Sequence, residues 1–344
     1  MDDRRQLAAL TDAAARFFAG EMGCGWAPGY LASRGFGATI WREWGIGYAP
    51  ATWTALTDHL RGLGFPQPAI EAAGLAKRSA RGVLIDVFRD RIMFPVRDLG
   101  GTVCGFVGRA PPAAGDTIPV YLNTPTTSLY RKGSLLFGCY EGQVALAAGA
   151  CPVIAEGPLD AIAITAAGRR AYVGVAPCGT ALTPAQVTLL AAAARHPAGA
   201  RRLAAVVVAF DADPPGHRAA IRAHALLRDI TSNPLTAKLP AGTDPAGYFR
   251  DHGAPALCEL LDHQLHPLAD LVVDASIAKF DRWLEFTDAK FLALHAVAPL
   301  IAALPANQVA RQVARVAARI GLTHAEVTGA ITAALPKVIE AKTP

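Results

Sequence analysis

The stretch CPVIAEGPLDAIAI, Cys151–Ile164, is an apolar run that stops on Glu156-Gly157 and then resumes with helical spacing. A second stretch, AAVVVAFDADPPG from Ala204 to Gly216, repeats the pattern: an apolar run ends in Asp211-Ala212-Asp213 and breaks at two prolines. Unbroken apolar runs bounded by turn residues fit strands buried on both faces of a parallel sheet. Acidic residues just past the carboxyl ends of such strands lie at the edge where open α/β sheets bind ligands. Asp211 and Asp213 are two apart, so on extended backbone both carboxylates point to one side. With Glu156 they make three hard oxygen donors, a set that suits Mg²⁺.

Around these two stretches the pattern alternates. Strands are expected at 152–155, 171–175, 204–210 and 235–239, and helices at 158–168, 184–195 and 216–228. That alternation predicts a compact doubly wound unit beginning near Ala148. Upstream, helices are expected at 7–20, 28–34, 52–62 and 68–73, with a short strand and turn at Trp44–Pro50. From Val83 the runs VLIDVF, RIMFPV and TVCGFVG predict a hairpin-rich antiparallel sheet, followed by a loop over 110–119 and the segment Val120–Asn123. After about His252 the chain reads as wholly helical. There Val309, Val313, Val316 and Ile320 share one face, with Arg311, Arg315 and Arg319 mostly on the others.

Composition narrows the function classes. The 344 residues leave room for two or three domains, and 52% hydrophobic against 18% charged residues excludes a wholly disordered chain. The six cysteines (24, 104, 139, 151, 178, 258) contain no C-x-x-C pair, which speaks against a disulfide framework or zinc ribbon and for a reducing, cytoplasmic setting. The nine histidines show no metal-ligand spacing. Met1–Arg5 lacks the look of a signal peptide, and no apolar run is long enough to span a membrane. The net charge of +5 is concentrated: from Lys77 to Lys132, nine Lys/Arg face four Asp, a local excess of five. A basic region beside an acidic site suits an enzyme that handles a polyanion.

With these residues placed, the chain resembles a known family. EGPLDA (156–161) is similar to the first motif of a Toprim domain in its primase form, and FDADPPGHRAA (210–220) to its D-x-D motif. Leu239–Pro245, with Asp244, resembles the third acidic motif, although Ala241 and Ala246 stand where the family often has further acids. Ahead of them YLASRG (30–35), Trp44–Pro50, FRDRIMFPVR (88–97), VCGFVGR (103–109), YLNTP (121–125) and YRKGS (130–134) resemble, in order, the amino-terminal part of a DnaG-type primase core. The resemblance covers roughly residues 10–250.

It implies a fold: an α+β amino-terminal primase subdomain (1–148), an α/β Toprim domain with about four mostly parallel strands flanked by helices (149–255), and a helical carboxy-terminal subdomain (256–344). It implies an activity: template-directed synthesis of short RNA primers on single-stranded DNA by metal-dependent nucleotidyl transfer. Glu156, Asp211, Asp213 and Asp160 are then the catalytic acids, and Glu156, Asp211, Asp213 and Asp244 the ligands of Mg²⁺ or Mn²⁺, with no zinc expected. Arg34, Arg109, Tyr121, Asn123 and Lys132 match nucleotide- or template-binding positions, while Val120 replaces a lysine common in the family. Expected partners are the single-stranded template, NTPs, and a replicative helicase or a separate zinc-binding, template-selecting protein. No membrane is expected. Two other readings stay open: a Toprim-type metal-dependent nuclease, and a non-catalytic nucleic-acid-binding accessory of a plasmid, phage or integrated element.

Each residue also has a plainer meaning. Acids at helix starts serve as caps, and Asp244 can make a turn before Pro245. Arg34 can simply end its helix. Arg89 and Arg91 alternate with apolar neighbours, which fits a solvated sheet face.

Overall fold

Val206–Ala209 has no polar face, so the strand it forms must be covered on both sides. In the structure, a computed structural model of the chain, all four residues are buried. The structure describes residues 3–115, 117–177, 179, 181–194, 203–211 and 213–340, without the side chains of 214 and 336–340. Cys178, Ala212, Asp116 and the last residue of the helix expected at 184–195 lie outside the described residues. The chain forms two compact units, Met1–Leu265 and His266–Pro344.

The first unit opens with α1 (Asp3–Gly20), α2 (Ala27–Ser33) and α3 (Ala38–Trp44). Next come β1 (Gly47–Ala49), α4 (Ala55–Gly62), α5 (Gln67–Ala72) and the antiparallel pair β2 (Ala76–Arg78) and β3 (Leu84–Asp86). β4 (Arg91–Arg97), β5 (Val103–Arg109) and β6 (Tyr121–Asn123) complete an antiparallel sheet of order β1-β4-β5-β6. The expected hairpin-rich sheet is present. The short helix α3 and the strand β2 have no counterpart in the sequence reading, and VLIDVF contributes only its three central residues to a strand.

After α6 (Gln143–Ala147) the chain alternates: β7 (Cys151–Ala155), α7 (Pro158–Ala167), β8 (Tyr172–Val175), α8 (Pro184–Ala193), β9 (Val206–Ala209), α9 (Pro214–Leu227), β10 (Pro234–Ala237) and α10 (Pro245–His263). The strands run in the order β10-β9-β7-β8, each pair parallel. The chain steps from β7 to β8 on one side and to β9 on the other, so strand order reverses beside β7. That is where an open α/β sheet forms its ligand crevice. Ala155 pairs with Ala209, which brings Glu156 and Asp211 to the same edge of the sheet. One apolar core joins both sheets, from Leu7 and Phe18 through Phe94, Phe106 and Phe137 to Val153 and Val207.

Two expectations fail here. Arg91 does not lie on a solvated face: it is 5% exposed, and its Nη1 donates to the carbonyls of Gly108, Pro119 and Val120 at 3.0, 3.0 and 3.3 Å. Nor is the chain wholly helical beyond His252, because Gly253 breaks α10 with a φ of 81° and a short strand, Leu265–Pro267, follows. Position 256 falls within α10, ahead of the division between the units.

The second unit consists of α11 (Leu268–Ile277), a 3₁₀ turn (Ala278–Trp283), α12 (Thr287–Ala302), α13 (Ala306–Ile320) and α14 (His324–Glu340). Val316 and Ile320 of α13 are buried, with Val309 and Val313 packed beside them. The α13 arginines are occupied by acids: Arg311 with Asp270, Arg315 with Asp270 and Asp274, and Arg319 with Asp281. No helix among the described residues is long and apolar enough to cross a membrane.

Candidate active site

Helix starts define the acidic wall. α7 begins at Pro158, with Gly157 between it and Glu156, and Asp160, its third residue, closes a capping box by accepting the Gly157 N–H at 3.2 Å. Its other oxygen accepts the Ala246 N–H at 3.0 Å, so one buried carboxylate ties the start of α7 to the start of α10. Asp244 caps α10 through the Gly247 N–H, and Asp213 caps α9 through the Gly216 N–H at 2.7 Å. Glu156 Oε1 accepts the Asp211 N–H at 3.2 Å. Position 216 must be glycine for packing reasons, since a Cβ there would come within 2.2 Å of the Asp211 carbonyl oxygen.

Crowding of like charge at a partly dry edge shifts these groups. Burial, followed by the charge of Asp244, pushes Asp160 up to about 7. Burial, then Glu156, Asp244 and Asp213, push Asp211 up to about 6. Glu156 is raised too, by burial first and by Asp213 and Asp244 after it, against the Asp211 N–H bond. Among the described residues no ion pair reaches any of these five acids. Such a cluster is relieved by taking up a proton or by a cation from outside the chain.

The expected ligand set does not close on a single point: among the described residues, no three Asp, Glu, His or Cys side chains are arranged to hold a metal ion. Two of the four, Asp213 and Asp244, are caps with a carboxylate turned toward a helix N-terminus. A cap uses one carboxylate oxygen, Oδ1 in both Asp213 and Asp244, and a carboxylate has two. The donors fit a hard divalent cation in type and in charge. The plainer meaning as a cap holds for Asp213, Asp244 and Asp160, whereas Glu156 instead accepts the Asp211 N–H.

Basic and aromatic residues share a cavity with the acids. The cavity, of about 390 Å³, is lined by Glu156, Asp160, Asp211 and Asp244 together with Arg34, Arg109, Tyr121 and Asn123. Arg34 does end its helix, as the C-cap of α2, and it also reaches the cavity. Arg109 ends β5 and pairs with Tyr121 of β6, while Asn123 pairs with Val107 and accepts the Tyr130 hydroxyl at 2.9 Å. The Nε atoms of Arg34 and Arg109 are buried and have no hydrogen-bond partner. Burial, then the charge of Asp160, raise the Tyr121 hydroxyl, which keeps it protonated. Val120 also lines the cavity, 57% exposed, an apolar side chain at a basic rim.

Asp213 and Lys132 are not among the cavity's lining residues. Lys132 sits in a 3₁₀ turn (Lys132–Ser134), where its carbonyl accepts from Gln186 Nε2 at 3.1 Å. Three contributors escape the sequence reading. Gln186 is fully buried and donates to the carbonyls of Lys132, Leu135 and Pro177. Arg91 fastens the backbone just before Tyr121. Tyr30 contacts both cavity arginines; its signals in the sequence are its place in YLASRG (30–35) and its i, i+4 spacing from Arg34, the C-cap of α2.

Comparison with known proteins agrees with this geometry. Residues 22–143 match the family described as DNA primase catalytic core, N-terminal domain, and residues 153–249 match a Toprim-like family. The chain is 34% identical over 275 residues to a DNA primase of Streptomyces coelicolor, covering 80% of this chain and 41% of that one. It therefore spans less than half the length of that relative. The RNA polymerase domain of the Mycobacterium tuberculosis primase DnaG superposes with a TM-score of 0.72 at 33% identity, covering 81% of this chain and 89% of that one. A DnaG primase catalytic domain bound to ssDNA superposes with a TM-score of 0.75 at 27% identity, covering 94% of this chain and 99% of that one. The chain belongs to the family of DnaG-type primase catalytic cores, an N-terminal primase domain followed by a Toprim domain.

Proposed function

We propose that this chain synthesises short RNA primers on single-stranded DNA, joining NTPs at the cavity that its acidic and basic walls share. The observation that carries the reading is the pairing of an uncompensated acid cluster with two arginines whose buried Nε atoms lack partners. A nucleoside triphosphate with its cation supplies what each wall lacks.

Glu156, Asp211, Asp213 and Asp244 are the residues that would hold the cation, with Asp213 and Asp244 offering the carboxylate oxygen their caps leave free. When bound, Mg²⁺ or Mn²⁺ supplies charge that stabilises the attacking 3′-oxygen and the departing pyrophosphate. Arg34 and Arg109 take phosphate oxygens, as guanidinium groups suit. Tyr121 and Asn123 form the wall against which the nucleotide is oriented. Asp160 keeps the α7 and α10 starts in register through its two backbone bonds. Lys132, outside the cavity, meets the template backbone. The amino-terminal part (1–148) grips the template and the Toprim part (149–255) carries the acids, with template selection shared with a helicase or a zinc-binding partner in the cytoplasm.

Labelled NTPs, Mg²⁺ or Mn²⁺ and a panel of single-stranded templates test this reading. Short RNA products are expected. Degraded DNA without RNA products would favour a nuclease, and DNA binding with neither activity would favour an accessory protein, the reading to which Val120 and the capped acids lend weight.

A further inference from the structure

Tyr30 does not line the cavity, yet its ring is approached by both arginines that do. Its ring centre is 4.7 Å from Arg109 Cζ and 5.8 Å from Arg34 Cζ. Arg109 Cζ also lies 5.7 Å from the centre of the Tyr121 ring. The Tyr30 ring is itself held edge-on by Trp26, at 5.5 Å and 71°. Trp26 in turn donates its Nε1–H to Asp90 Oδ1 at 2.8 Å, an oxygen that also accepts the Tyr48 hydroxyl at 2.6 Å. A series of contacts thus runs from Asp90 through Trp26 to a ring shared by two cations.

Two guanidinium groups repel when brought to one ring, and among the described residues no carboxylate forms an ion pair with either. Ring-face attraction offsets part of that repulsion and restricts where the two heads point. Each head keeps a buried Nε–H without an acceptor, which is costly unless a ligand supplies one.

We propose that Tyr30 is a positioning residue: its ring holds Arg34 and Arg109 in advance for the phosphates of an incoming nucleoside triphosphate. This rests on the reading of the cavity as a nucleotide site. Tyr30 acts through the arginines, and its aromatic face is the working part. Its hydroxyl is dispensable.

The test is equilibrium binding of a fluorescent ATP analogue, with Mg²⁺, to the full chain and to Y30F, Y30L, R109M and Y30L/R109M. Removing the ring while keeping apolar bulk, as in Y30L, should weaken binding about tenfold, the scale of a desolvated cation–π contact. Y30F should stay within about twofold of wild type. In the R109M background, Y30L should cost clearly less than its roughly tenfold effect in the wild type, because one of the two groups it acts through is gone and only Arg34 remains. Thermal melts accompany each variant, and if Y30L melts early, Y30M replaces it in the same cycle. Wild-type affinity in Y30L, equal losses in Y30F and Y30L, or fully additive losses in the double variant would each overturn the positioning role while leaving the nucleotide site intact. A wild-type chain that binds no nucleotide would overturn the cavity reading, and the role of Tyr30 with it.

Discussion

Glu156 Oε1 accepts a hydrogen bond from the Asp211 N–H at 3.2 Å, so the side chain ending one strand is fastened to the backbone ending its neighbour. Glu156→Gln keeps an acceptor for that bond and removes one negative charge from the cluster with Asp213 and Asp244. Primer synthesis should fall by about 10²–10³-fold, the scale for losing one electrostatic partner of a transition state. Stability without metal should rise, by about 2 °C in melting temperature, because like-charge repulsion is relieved. Activity and melting are therefore expected to move in opposite directions.

Gly216→Ala probes the Asp-x-Asp turn. The Asp213 N–H bonds the Asp211 carbonyl at 2.8 Å, and the added Cβ would meet that same carbonyl oxygen at 2.2 Å. The turn must open, which displaces the acids and costs about 2 kcal/mol of stability. Urea unfolding and primer synthesis should both register the change.

The acids were legible in the sequence because nothing competes with their setting. Runs such as Val206–Ala209 have no polar side to show solvent, so they could only be covered strands, and the prolines at 158 and 214 fix where helices begin. Arg91 was not legible. Its place depends on Gly108 in the neighbouring strand, where a Cβ would lie 3.0 Å from Arg91 Cδ. That empty slot exists only once the strands are paired. The α13 arginines are similar, since Asp270, Asp274 and Asp281 lie 38–41 residues away along the chain. Local pattern gives the α13 helix and leaves its ion pairs unseen. The cavity's basic wall was legible as Arg34 and Arg109, but the ring that joins them was not.

His224 gives the protein an acid-sensitive element. Burial, then the charge of Arg228, hold its pKa down to about 4, against an unfolded value near 6.5. Between those values the unfolded chain binds the extra proton, so stability rises with pH in this window and is lost as pH falls through it. From pH 6.5 to 5 the loss from this group should approach about 2 kcal/mol. Denaturant titrations at pH 7, 6 and 5 should show a shallower decline in His224→Gln than in wild type, the difference isolating this group from the carboxylates.

Gln186 is a stability determinant away from the cavity. Its Nε2 serves three carbonyls, those of Lys132, Leu135 and Pro177, at 3.1, 2.8 and 3.2 Å. Gln186→Leu fills the space but leaves those acceptors without this donor, at a cost of about 3 kcal/mol. The Lys132 turn should loosen with it, visible as faster amide exchange over residues 132–135 together with a lower urea midpoint.

The most direct measurement is primer synthesis from labelled NTPs on single-stranded DNA with Mg²⁺ or Mn²⁺, comparing wild type with the Asp211→Asn/Asp213→Asn double variant. Asparagine keeps the cap acceptor at 213 and removes two charges, so the variant should fold while its short RNA products fall by at least about 10³-fold. Undiminished synthesis by a folded double variant would contradict the assignment of the acidic edge as the catalytic centre.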